Sequence, residues 1–149
     1  MSDYFLMFVP TDPKWQPTKA DAERAVELFK SIAPHARDVE ATFTDDVEFH
    51  DPGGNWSGVN CAACGADLED WFFETADKIY NETHFADLSV TTPCCGLQTS
   101  LNDLNFVWPA AFGRFVLEAM RPGLDTNEDQ EKAIAACLGS DLRKIWCRI

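Results

Sequence analysis

The chain has 149 residues, 46% of them hydrophobic and 25% charged, and a formal net charge of −13 from 25 acidic and 12 basic side chains. That size and balance fit one globular domain with a sizeable core and exclude a disordered chain. The acidic excess argues against nucleic acid as a partner, because phosphate recognition depends on Lys and Arg, and fits a protein that steers a basic partner by its field.

The opening MSDYFLMFVPTDP lacks a basic leader and carries Asp and Pro early, so it is not expected to be a secretory signal. No apolar stretch is long enough to span a bilayer. The expectation is a cytoplasmic protein with no membrane partner. In a reducing compartment its six cysteines read as thiols or metal ligands rather than as a disulfide frame.

Tyr4–Val9 is a short apolar run stopped by Pro10 and Pro13, which predicts a buried strand. Thr18 to Asp21 opens a helix whose apolar side is Ala22, Ala25, Val26, Leu28, Phe29 and Ile32, closed by Pro34. Val39, Ala41 and Phe43 alternate with polar residues. Val47 and Phe49 do so again after Asp45 and Asp46, which predicts a hairpin.

Residues 109–120 satisfy both helical and strand spacing, and strand is expected for the later half, Gly113 to Met120. Asn127 caps a helix through Leu138, with Ala133, Ile134 and Cys137 inward, and Leu142–Ile149 reads as a final strand. Two β-α-β units predict an α+β fold, a ferredoxin-like βαβ-βαβ sandwich. No linker composition interrupts the chain. Residues 1–149 are therefore one domain, with residues 52–108 as an inserted lobe.

That insertion holds Cys61-Ala-Ala-Cys64-Gly65 and Thr92-Pro-Cys94-Cys95-Gly96. A helix from Asp67 to about Asn81 separates them, with Asp67 as its expected cap. The second cluster lies between alternating runs, at the tip of a hairpin. A glycine after a ligand cysteine lets the backbone turn with positive φ and aim N–H groups at sulfur. The expectation is a zinc-ribbon-like site in which Cys61, Cys64, Cys94 and Cys95 hold a structural Zn²⁺.

The second knuckle departs from C-x-x-C, because Thr92 stands where its first cysteine would be. If only one of Cys94 and Cys95 binds, His84, His50 or Asp51 is the candidate to complete the shell. Thiol redox chemistry is the rival for the same residues. Asp67 starting the helix after Cys64, with Glu69 and Asp70 following, works against a stabilised thiolate. Cys137 and Cys147 read as small core residues.

His50-Asp51-Pro-Gly-Gly54 is a polar turn after a strand, with metal chemistry as its alternative. Asp45, Asp46, Glu48 and Asp51 form an acidic run that is either a solvated edge or a docking patch. Ser100-Leu-Asn-Asp103 lacks a nearby histidine for a triad and predicts turn and cap bonds. The five tryptophans are expected mostly in core or lobe packing.

YFLMFVPTDP, CAACGADL, DLSVTTPCCG, TSLNDLNFVWPAAFGRFVLEA and LGSDLRKIW together resemble a family of small uncharacterised bacterial proteins with CxxCG and PCCG zinc-knuckle-like motifs. The resemblance covers nearly the whole chain. It implies a soluble bacterial protein with paired cysteine knuckles and supplies no catalytic residues. Asn60-Cys-Ala-Ala-Cys64 differs from the Pro-containing knuckle common in zinc ribbons.

The functional expectation is a non-enzymatic, zinc-stabilised acidic protein-interaction module, of an immunity or antitoxin type, that binds a basic protein. The alternative is an enzyme, either a thiol oxidoreductase or a metal-dependent hydrolase using the region of His50 and Asp51.

Overall fold

A computed structural model describes residues 3–149 as an α+β fold with three helices and a mainly antiparallel sheet. Strand β1 (Tyr4–Pro10) is followed by α1 (Lys19–Ile32) and β2 (Asp38–His50). After a long connection come β7 (Ala111–Met120), α3 (Glu128–Leu138) and β8 (Leu142–Arg148). These four strands form one sheet in the order β2-β7-β1-β8, each antiparallel to its neighbours. Among the described residues no helix is long and apolar enough to cross a membrane.

The local signals that start each helix are present as hydrogen bonds. The Thr18 hydroxyl accepts the Asp21 N–H, and Asn127 and Gln130 form a reciprocal capping box at α3. Each such cap contributes about 1 kcal/mol. Ala22, Ala25 and Phe29 of α1 and Ile134 and Leu138 of α3 pack on Leu6, Phe8, Val39, Phe115, Leu117 and Ala119. The alternation in β1 and β7 sends every second side chain to that helix-covered face. Ala133, expected inward, is exposed.

The opposite face carries Met7, Val9, Val116, Ile145 and Cys147, and Ala111 packs with them. Gly113 lies so close that an added Cβ would stand 2.6 Å from Val9 Cγ1. The Pro52 carbonyl accepts the Arg148 N–H. The chain leaving β2 therefore meets the end of β8, and glycine at 113 permits the close approach of β7 to Val9.

The hairpin expectation is corrected. Residues 38–50 are not a hairpin but one continuous strand paired with β7 along its length, with a register shift between Phe43 and Glu48. The extra residues form a bulge held by Gln16 Nε2 on the Thr44 carbonyl and Arg114 Nε on the Asp45 carbonyl. Asp45 and Asp46 resemble a turn because both are poor ladder residues, and a bulge uses them equally well. The strand expected for Gly113 to Met120 is present and extends back to Ala111.

Between β2 and β7 lie two small sheets and a helix. Strand β3 (Val59–Asn60) pairs with β6 (Asn105–Phe106), and β4 (Ser89–Thr91) pairs with β5 (Gln98–Ser100). Helix α2 (Glu69–Thr83) starts later than expected; Leu68 is its cap residue, and Asp67 Oδ1 accepts the Glu69 N–H. Phe72 is fully buried in a cluster with Val59, Leu68, Leu101, Phe106 and Phe112. Phe49 reaches it from β2, 5.5 Å from Phe72 and 4.7 Å from Phe112 between ring centroids. Burying a side chain of that size contributes about 1.5–3 kcal/mol.

One buried polar residue links these parts. The Asn102 side chain accepts the Phe112 N–H at 2.8 Å and donates to the Thr11 carbonyl at 3.3 Å. Arg143 Nη1 donates to the Asn102 backbone carbonyl and to Ala110. The short 3₁₀ turn Leu101–Asp103 that carries Asn102 is capped by the Ser100 hydroxyl.

Candidate metal centre

The two cysteine clusters occupy matching hairpin tips. In the first, the Cys61 N–H donates to Ala66 O and the Gly65 N–H donates to Cys61 O. In the second, the Thr92 N–H donates to Leu97 O and the Gly96 N–H donates to Thr92 O. Gly65 and Gly96 have φ of +75° and +72°, and an added Cβ would meet nothing within 4 Å at either. Glycine is needed for conformation there, not for space.

This frame brings all four predicted thiols together, every Sγ within 4.8 Å of the others. The separations are 3.7 Å for Cys61–Cys95, 3.4 Å for Cys64–Cys94 and 3.9 Å for Cys94–Cys95. A tetrahedral ion with metal–sulfur bonds of about 2.3 Å needs sulfurs about 3.8 Å apart. Four cysteines so placed can hold a metal ion. Cys61 is buried and the other three are exposed.

Both adjacent cysteines point into the cluster because they answer different positions of the knuckle. Cys95, directly before its glycine, matches Cys64. Cys94 has no counterpart among the ligands of the first knuckle, where Ala63 occupies its place. Its sulfur supplies the fourth member of the cluster, next to Cys64 Sγ and Cys95 Sγ. Thr92 is 2% exposed, and its hydroxyl lies 3.6 Å from Cys95 Sγ and 4.0 Å from Cys61 Sγ while accepting the Leu97 N–H.

The electrostatics of the thiol cluster favour one thiolate and resist the next. N–H groups of Cys64 and Ala63 aimed at the Cys61 sulfur, helped by the neighbouring thiols, pull its pKa down to about 6. At Cys64 the Ala66 N–H favours the thiolate. The Cys94 sulfur, desolvation and the other two sulfurs outweigh it and push the pKa up to about 12. Four thiolates in this volume need a cation among them.

The other candidate ligands lie elsewhere. His50 is half-buried, its Nε2 3.4 Å from the Gly113 carbonyl, and desolvation lowers its pKa. His84 Nδ1 stands 4.0 Å from Asp46 Oδ2. Asp51 Oδ1 accepts the Gly53 N–H within its own turn. Among the described residues only the four cysteines form a cluster of metal-binding type. A hollow of about 410 Å³ beside Cys94 is lined by Asp67, Glu69, Asp70 and Trp71.

Sequence reasoning missed the part played by the Thr92 hydroxyl and by the backbone donors at Ala63 and Ala66. The sequence already sets Thr92 at the position of Cys61 when CAACGA and TPCCGL are aligned on their shared Cys-Gly. The orientation of its hydroxyl has no sequence signal. No protein-family model matches the chain, and no curated protein and no solved structure matches it. The paired knuckles stand on their own geometry.

Proposed function

We propose that this chain is a zinc-stabilised acidic protein-interaction module that covers a basic protein, in the manner of an immunity or antitoxin-type factor. In this reading the sheet is a ferredoxin-like βαβ-βαβ frame and residues 52–108 are a zinc-ribbon-like lobe. The strand order β2-β7-β1-β8 with α1 and α3 on one face supports the frame. Two hairpin-tip knuckles bringing four sulfurs together support the lobe.

The observation that carries the reading is the closure of the sulfur shell. Zinc bound to four thiolates has no position left for a substrate or an activated water, so its contribution is to hold the lobe folded. The net charge of −13 then points to association with a basic surface rather than to chemistry.

Metal analysis of the purified chain, paired with recovery of partners from the native cell, tests this. About one equivalent of zinc and a basic partner released by salt are expected. Metal-free protein with an unchanged melting curve would remove the zinc. Disulfide reductase activity with fast labelling of a knuckle thiol in zinc-loaded protein would assign the cysteines to redox chemistry instead.

A further inference from the structure

We propose that the outer edge of β2, residues 38–43, is a docking strand for an extended segment of a partner protein whose residues alternate apolar and basic. This rests on the interaction-module reading and names its surface. Strand β2 ends the sheet order and, among the described residues, pairs only with β7. The outward N–H and C=O groups of an edge strand are a template for one more strand. The free length is six residues, about 20 Å, and the bulge after Phe43 ends it.

The two sides of that edge differ in chemistry. Toward the helices, α1 and β2 enclose a groove of about 730 Å³ whose apolar walls are Ala22, Val26, Val39, Ala41 and Phe43. Phe43 is 37% exposed although it meets the buried Phe115 ring edge-on at 5.0 Å. The rim holds Glu23 and Glu27 against Lys19.

On the other side Asp38 and Glu40 point away from the helices, and Glu40 stands directly opposite Glu118 of β7. Like charges directly opposite in a sheet repel. The Glu40 carboxyl is held above its ordinary range by a hydrogen bond with Asp38 and by its charge. Glu118 is raised by burial first, then by Glu40 and Asp38. A strand laid along β2 would place alternate side chains in the apolar groove and the intervening ones beside these carboxylates. Basic residues at the second set relieve a repulsion that the fold already carries.

Charge decides between occupants. Two copies of the chain joined through β2 would bring Asp38 and Glu40 of each against those of the other, so self-pairing is disfavoured. A basic, alternating segment of another protein meets both sides.

The test uses the full-length zinc-loaded chain and three eight-residue peptides, with backbone amide resonances as the readout. One peptide alternates Lys and Val, one has the same residues with all Lys in a block, and one alternates Glu and Val. The alternating Lys/Val peptide should shift residues 38–43 and Val26, while the block peptide binds about tenfold more weakly and the Glu/Val peptide not at all. Combining Asp38→Asn with Glu40→Gln should weaken binding about tenfold. Both carboxylates are exposed, so the melting temperature should hold or rise.

Equal binding of both lysine peptides, or shifts confined to 45–51, would overturn the edge as the docking site. The acidic module would still stand in that case. No shift with either lysine peptide would also overturn the inference, and recovery of a basic partner from cells would then show whether the module reading survives it.

Discussion

Thr92 occupies in the second knuckle the backbone position that Cys61 occupies in the first. Each donates its N–H five residues forward, to Leu97 O at 2.9 Å and to Ala66 O at 2.8 Å, and each accepts the N–H of its knuckle glycine at 3.0 Å. The two turns are equivalent in backbone and different in ligand. The position that Cys61 fills in the first knuckle carries a hydroxyl in the second, and Cys94 beside Cys95 brings the fourth sulfur.

A ligand swap follows from that equivalence. If the proposed zinc is held there, Cys94→Ser should abolish its stoichiometric binding and loosen the lobe, because the lost thiolate leaves an open shell coupled to folding. Adding Thr92→Cys to that variant should restore one equivalent of zinc and the lobe's protection from hydrogen exchange. Metal titration followed by exchange on both variants checks this. A double variant as metal-poor as Cys94→Ser would show that the two turns are not interchangeable.

Glu118 makes stability fall as pH rises. Its folded pKa lies above the ordinary value of 4.5, through burial and the charges of Glu40 and Asp38. Between those two values the folded chain holds a proton that the unfolded chain has released. Stability is therefore greatest below the window and declines through it. Glu118→Gln removes the penalty. The variant should melt higher than the wild type at pH 7 and lose that advantage by about pH 4, as thermal unfolding across pH will show.

Asn102 should be costly to lose. Asn102→Ala leaves the Phe112 N–H without its acceptor and removes one partner of Arg143 Nη1. Each buried polar group left unmade costs about 1–3 kcal/mol. Urea unfolding should report a loss of about 2–4 kcal/mol. A loss below about 0.5 kcal/mol would mean that water replaces the bonds.

Asp45 and Asp46 are exposed in the β2 bulge, so they are placed to steer rather than to hold. Changing both to Asn should slow association with a basic partner several-fold at low salt and leave dissociation, zinc content and melting unchanged. Binding kinetics at two ionic strengths separate these effects. A faster dissociation would place the pair inside the contact.

Much of this protein was legible along the chain because the signals involved are local. Thr18 and Asn127 as helix caps, the short apolar run of β1 stopped by Pro10, and a glycine after each cysteine pair act within a few residues. Backbone geometry and short hydrogen bonds decide them without reference to the rest of the molecule. The tertiary structure decided what depends on distant partners. Asp45-Asp46 became a bulge instead of a turn because β7, more than sixty residues later, pairs on both sides of it. Cys94 reached the cluster because two hairpins from opposite ends of the lobe meet tip to tip. The carboxylates of Asp38, Glu40 and Glu118 gathered on one sheet face because strand register set Glu40 opposite Glu118. Register and docking arise from burying whole faces together, and no spacing within a single segment encodes them.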